Sequence, residues 1–111
     1  MTIRAVIWDM GGVLLRTENP QPRQALAESL GLSRETLEEI VFGGESGRAA
    51  QLGLISVDQH WQNVLRQLGL PAAERAAFEK RFWGGDRLDR ELLEFIRTLR
   101  PRYKVGLLSN A

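Results

Sequence analysis

The chain opens on a run that is polar once and then apolar without a break: Ile3-Arg4-Ala5-Val6-Ile7-Trp8. A strand with one face in water alternates. One that does not alternate reads as covered on both faces, and therefore as parallel. Asp9 to Gly12 follows as a turn, and Val13-Leu14-Leu15 continues the extended run briefly. Asn19-Pro20-Gln21-Pro22 then interrupts the backbone where a helix can open, since proline is tolerated at a first helical position. At the far end Tyr103 to Leu108 (Tyr-Lys-Val-Gly-Leu-Leu) is a second apolar strand, followed by Ser109-Asn110-Ala111.

Between these strands the apolar positions follow the helical period. A first helix is expected near Arg23 to Leu30, stopped by Gly31. Ser33 can cap a second, with Leu37, Ile40 and Val41 on one face and an end at Gly43-Gly44, and a short third lies within 45–52. The fourth has the strongest pattern. Ser56 and Gln59 stand at capping-box spacing, and Val57, Trp61, Val64, Leu65 and Leu68 form an apolar stripe closed by Gly69. Pro71 opens a fifth, carrying Ala76, Ala77, Phe78 and Phe82 to Gly84-Gly85. Leu88, Leu92, Leu93, Ile96 and Leu99 mark a sixth, stopped by Pro101. No repeat or low-complexity tract interrupts the series.

The order strand, five helices, a sixth helix, strand predicts an α/β chain. Residues 1–16 and 85–111 would form a partial α/β core, one βαβ crossover, with residues 17–84 inserted as a helical unit. Two parallel strands and one helix leave a sheet face and both edges open, and such a sheet is marginal by itself. The expectation is that the chain is the first part of a larger domain. Alone, it should self-associate or be poorly stable.

Composition alters this little but closes several routes. A chain of 111 residues with 43% hydrophobic and 26% charged content is that of one small globular unit. The net charge of +1 supplies no field towards nucleic acid or a membrane, and neither partner is expected. Arg87, Arg90, Arg97, Arg100 and Arg102 are interleaved with Asp86, Asp89, Glu91 and Glu94, which reads as a solvated helix face. The absence of cysteine excludes disulfides, thiolate metal sites and a cysteine nucleophile. No apolar stretch is long enough for a bilayer and the N-terminus has no signal pattern, so a cytoplasmic location is the default expectation. His60 is expected at a solvated or rim position, and Trp8, Trp61 and Trp83 in packing roles. Arg16 and Glu18 read equally as linker residues or substrate contacts.

In open parallel sheets, ligands bind outside the carboxyl ends of the strands. Asp9 ends the first strand and Ser109-Asn110 the second, so neighbouring strands would bring a carboxylate and a hydroxyl to one spot. Gly11 and Gly12 would let backbone N–H groups approach an anion. Each feature alone is an ordinary turn or helix cap; their joint placement favours chemistry.

"AVIWDMGGVLL" resembles the first motif of the haloacid dehalogenase superfamily, an apolar strand ending in a nucleophilic aspartate. "YKVGLLSNA" resembles the second, an apolar strand ending in serine or threonine. The long helical segment between them is similar to the subgroup with a helical cap inserted after the first motif. "LGLISVDQHWQNVLRQLGL" and "GGDRLDRELLEFIRTLRPRYKVGLLSNA" resemble cap and re-entry segments of its phosphatase-like members.

The resemblance implies a Rossmann-like parallel-sheet core with an inserted cap that sets the substrate. The implied reaction is Mg²⁺-dependent hydrolysis of a small phosphorylated metabolite through an aspartyl-phosphate. Asp9 would be the nucleophile and, with the main-chain carbonyl of Gly11, a Mg²⁺ ligand. Ser109 and Asn110, with the backbone of Met10, Gly11 and Gly12, would bind the phosphate.

Two departures bear on this. Most phosphatases of the superfamily carry a second aspartate, the general acid, where this chain has Gly11, and losing that role costs about 10²–10⁴-fold. The family's lysine and acidic motifs lie downstream of the serine motif, and Lys104 precedes the strand end and is no substitute. The chain as written is therefore expected to hold about half of an active site, to be inactive alone, and to pair with a missing C-terminal part or another copy. Two alternatives stay open: a truncated, non-catalytic protein on that fold acting by binding or self-association, and a 2-haloacid dehalogenase sharing Asp9 and Ser109-Asn110.

Overall fold

The computed structural model describes residues 2–109, in which four strands and six α-helices follow one another. Strand β1 (Ala5–Asp9) lies parallel to β4 (Lys104–Leu108), in register from Ala5 opposite Lys104 to Asp9 opposite Leu108. The ladder extends at both ends, with the Lys104 N–H donating to the Arg4 carbonyl at 2.9 Å and the Met10 N–H to that of Leu108 at 3.2 Å. The sheet is not covered on both faces as its unbroken apolar run predicts. Val6, Trp8 and Val105 are half-buried, whereas Ile7 is 69% exposed and Leu107 and Leu108 are also exposed. A run without alternation reports two apolar faces, and among the described residues α6 (Arg90–Leu99) is the helix that packs appreciably against β4.

A second ribbon was not legible in the pattern. Strand β2 (Leu15–Thr17) pairs antiparallel with β3 (Asp86–Leu88), Leu15 opposite Leu88 and Thr17 opposite Asp86. Gly12 makes it possible. Its φ of +75° is a left-handed turn that reverses the chain, with the N–H groups of Val13, Leu14 and Leu15 all directed at the Met10 carbonyl. Val13-Leu14-Leu15 therefore does not continue β1. Leu88, expected in the sixth helix, belongs to β3, because Asp89 caps that helix by accepting the Leu92 N–H at 2.9 Å and so sets its start at Arg90.

The other helices begin and end on local signals. Helix α1 (Gln21–Ser29) opens with Asn19 accepting the Gln21 N–H and closes at Gly31, φ +72°. Ser33 caps α2 (Arg34–Glu38), which widens into a π-type turn over Glu39–Gly43 before α3 (Glu45–Gln51). Ser56 caps α4 (Val57–Gln67) by accepting the Gln59 N–H at 3.0 Å; the Gln59 amide turns instead to Asn63, at 2.9 Å. A short 3₁₀ turn, Ala72–Glu74, leads into α5 (Arg75–Phe82).

These five helices bury one core of Leu26, Ala27, Leu37, Val41, Trp61, Val64, Leu65, Phe78 and Phe82. Trp61 meets Phe78 and Phe82 edge-on, and those two rings stack. Arg23, 4% exposed, is buried without being orphaned. It donates to the Phe82 carbonyl and to Glu38, and its guanidinium lies 4.1 Å above the Phe82 ring. By contact the chain divides into two compact units: residues up to Glu18 with those from Asp86 onward, and Asn19–Gly85. Among the described residues no helix is long and apolar enough to cross a membrane.

Candidate functional site

Asp9 is the last residue of β1 and shares its register with Leu108, so Ser109 follows one position beyond. Adjacent strands lie about 4.8 Å apart. The ladder thus brings Asp9 and Ser109, both exposed, to the same carboxyl edge of one sheet. That edge is where a parallel sheet presents ligand-binding groups. Asn110 lies outside the described residues.

The backbone around the turn is mostly committed to the fold. The Met10 N–H donates to Leu108 and the Gly12 N–H to the Leu15 carbonyl at 2.9 Å. Of the three N–H groups expected to face an anion, that of Gly11 is the one without an acceptor among the described residues. The two glycines differ in another respect. Gly12 needs its left-handed φ, whereas Gly11 has no such φ, and a Cβ built on it would meet nothing within 4 Å.

Among the described residues no group of three or more histidine, aspartate or glutamate side chains could hold a metal ion. The turn offers one carboxylate, Asp9, and one nearby carbonyl, Gly11. Mg²⁺ is commonly held by one or two carboxylates together with substrate phosphate and water. The donors present fit an ion that arrives with a phosphate and not one resident without it.

Arg16 and Glu18 form part of a bracket on the β2–β3 ribbon. Arg16 pairs with Asp89 at 3.0 Å and Glu18 at 3.2 Å and donates to the Val13 carbonyl, while the Thr17 hydroxyl donates to Asp86 at 2.7 Å. The hydrogen bond that Arg16 donates to Glu18 and the charge of Asp89 raise the Arg16 pKa above its ordinary value. The Leu92 N–H, assisted by Arg16, lowers that of Asp89. Asp89 thus joins a helix N-terminus to the ribbon.

His60 departs most from expectation. It is 7% exposed, with a ring nitrogen 2.8 Å from the Ser46 hydroxyl and the other 2.8 Å from the Val41 carbonyl. It stands one residue before Trp61 and four before Val64, which places it on the buried stripe of α4. Val57, four residues before Trp61 and on the same face, is 58% exposed, so the buried part of the stripe begins one turn into the helix. The spacing of His60, Trp61, Val64, Leu65 and Leu68 carried this signal. Nothing in the sequence pattern singled out Ser46 or Asn63. Trp83 is partly exposed, and the half-buried Trp8 has an indole N–H without a partner among the described residues.

Compared with known proteins, the chain matches no protein-family model and no curated protein.

Proposed function

We propose that this chain carries the nucleophile-bearing part of a haloacid dehalogenase-like hydrolase, with a Rossmann-like core begun by β1 and β4 and a helical cap inserted between them. Its reaction is the hydrolysis of a small phosphate monoester through an aspartyl-phosphate. The observation that carries this reading is the parallel register of Asp9 with Leu108, which sets the carboxylate and the Ser109 hydroxyl on neighbouring strand ends.

In this mechanism the Asp9 carboxylate attacks phosphorus, and the Asp9 Oδ–P bond forms as the ester oxygen leaves. The Ser109 hydroxyl and the Gly11 N–H donate to the phosphoryl oxygens, where charge accumulates. Mg²⁺, when bound, neutralises part of that charge. Gly11 offers no proton to the leaving oxygen, so substrates whose leaving group departs as a stable anion, acyl or aryl phosphates, react in preference to alkyl phosphates. Water then hydrolyses the aspartyl-phosphate and restores Asp9.

Since the chain alone is expected not to turn over, the test reads only the first half-reaction: incubation of the chain with acetyl phosphate and Mg²⁺, followed by intact mass and peptide mapping. A single phosphoryl adduct on Asp9, absent in Asp9→Asn, is the expected result; no adduct, or an adduct that survives in Asp9→Asn, removes the proposal. One observation favours a second reading, a non-catalytic protein acting through self-association on the same fold: the exposed Ile7, Leu107 and Leu108 on the sheet. A concentration-dependent dimer in sedimentation, together with no phosphoryl adduct, selects it.

A further inference from the structure

The helical unit holds a hydrogen-bonded chain that the aspartate chemistry does not use. Ser46 on α3 meets His60 and Asn63 on α4. A carbonyl oxygen only accepts, so the contact between His60 Nε2 and the Val41 carbonyl fixes the proton of the neutral ring on Nε2. Nδ1 is then an acceptor, and the Ser46 hydroxyl, 2.8 Å away, is its donor. Asn63 Nδ2 donates to Ser46 Oγ at 3.0 Å, and the Asn63 carbonyl oxygen accepts from Gln59. Each group has one role: a hydroxyl on a base, and a base oriented by a third group. That is the arrangement that activates a serine nucleophile.

Two further features take the network beyond packing. Ser46 lines an open cavity of about 370 Å³ together with the polar Asn63 and Gln67 and the apolar Ile40, Ala49 and Ile55. Gly47, the next residue, is buried so closely that a Cβ on it would lie 2.8 Å from the Phe42 carbonyl oxygen. The missing side chain lets α3 seat against the wide turn, and this brings Ser46 into line with His60.

We propose that Ser46 is an activated nucleophile and that the cavity takes small uncharged carboxylic esters, transferring their acyl group to Ser46 Oγ. The Oγ–C bond forms as the Ser46 proton passes to His60 Nδ1. Collapse of the tetrahedral adduct expels the alcohol, which carries away the proton held on Nδ1. Water repeats the sequence, releasing the carboxylic acid and restoring the hydroxyl. The second Asn63 N–H and the Gln67 amide are the donors available to the developing oxyanion. Glu45, at the same cavity, disfavours anionic esters. A carbonyl in the orienting place stabilises the imidazolium less than a carboxylate does, so turnover is slow and reactivity is the sharper readout.

The chain has no cysteine, so Ser46→Cys creates a single thiol. Its alkylation by iodoacetamide is compared with that of Ala73→Cys, on an exposed turn. The imidazole should make the Ser46→Cys thiol react about tenfold faster or more, and His60→Gln in the same variant should remove the gain. A rate equal to or below that of Ala73→Cys, or a gain that survives His60→Gln, overturns the proposal. In the wild-type chain, p-nitrophenyl acetate should leave an acetyl group on Ser46, detected by peptide mapping and absent in Ser46→Ala. Acetylation only at other residues overturns it equally.

Discussion

Replacing Gly47 by alanine sets two opposing effects against each other, and the structure decides between them. Gly47 lies inside α3, where exchanging glycine for alanine ordinarily stabilises a helix by about 0.5–1 kcal/mol. Against this, the new Cβ would stand 2.8 Å from the Phe42 carbonyl oxygen and 3.0 Å from both the Phe42 carbonyl carbon and the Val41 oxygen. Optimal carbon contacts lie at roughly 3.5–4.0 Å. The atoms in the way are backbone, and that backbone is tied. Val41 accepts from His60, Phe42 from the Gln51 amide at 3.0 Å, and Gly43 from the Arg48 guanidinium at 3.1 Å.

Relief therefore requires α3 to withdraw from the wide turn. Overpacking of this kind costs about 1–3 kcal/mol, and straining one of the three hydrogen bonds adds about 1 kcal/mol. After the propensity gain, the net loss is about 1–3.5 kcal/mol. Gly44→Ala is the comparison, since its Cβ meets the Ile40 oxygen at an ordinary 3.5 Å and it gives up only the preference for glycine over alanine at the α3 N-cap, about 0.5–1 kcal/mol. Urea unfolding followed by tryptophan fluorescence and far-UV circular dichroism measures both. A Gly47→Ala chain as stable as the wild type, or more so, would refute the steric reasoning and with it the account of how Ser46 is positioned.

Phe82, wholly buried beneath the Arg23 guanidinium, should cost about 3–5 kcal/mol on substitution by alanine, whereas the exposed Val57→Ala should cost less than about 0.5 kcal/mol in the same urea assay. Asp89 has a lowered pKa in the folded chain, so its contribution to stability is complete above the unfolded carboxylate value of about 4 and is lost as pH falls through the folded value. Asparagine can still cap α6 but does not titrate, so unfolding of Asp89→Asn between pH 6 and pH 2, roughly spanning the carboxylate range, should show a shallower acid slope than the wild type; equal slopes would exclude Asp89 as a contributor. Under the proposed mechanism, Gly11→Asp should speed phosphorylation of Asp9 by alkyl phosphates about 10²-fold or more while barely changing that by acyl phosphates, because only the former need a proton at the leaving oxygen. Equal gains on both would place the new carboxylate in another role.

The helices were legible because their signals are local. Ser33 and Ser56 accept the N–H three residues on, and Gly31 and Gly69 adopt the left-handed conformation that ends a helix. The β2–β3 ribbon was not, because Thr17 and Asp86 are 69 positions apart in a pairing of three residues a side, too short to impose alternation. His60 leaves its expected rim position for a different reason: a neutral imidazole with both nitrogens bonded can be buried as readily as the apolar residues beside it, so its spacing outweighs its polarity.

At the carboxyl edge of the sheet, strand ends could be read from the chain because parallel strands necessarily present them together. The state of each backbone N–H could not, because it depends on the sign of one torsion. With Gly12 left-handed the chain turns back, Leu15 takes the Gly12 N–H and Leu108 that of Met10, leaving the Gly11 N–H without an acceptor among the described residues. The pair Gly11-Gly12 therefore has two separate explanations. Gly12 is demanded by conformation, since an L side chain there would be strained. Gly11 is demanded by neither torsion nor space, so the fold would accept an aspartate in its place. Under the proposed mechanism, the want of a general acid beside Asp9 would thus not be a concession to folding. A reaction run from this edge would have to draw its selectivity from the leaving group.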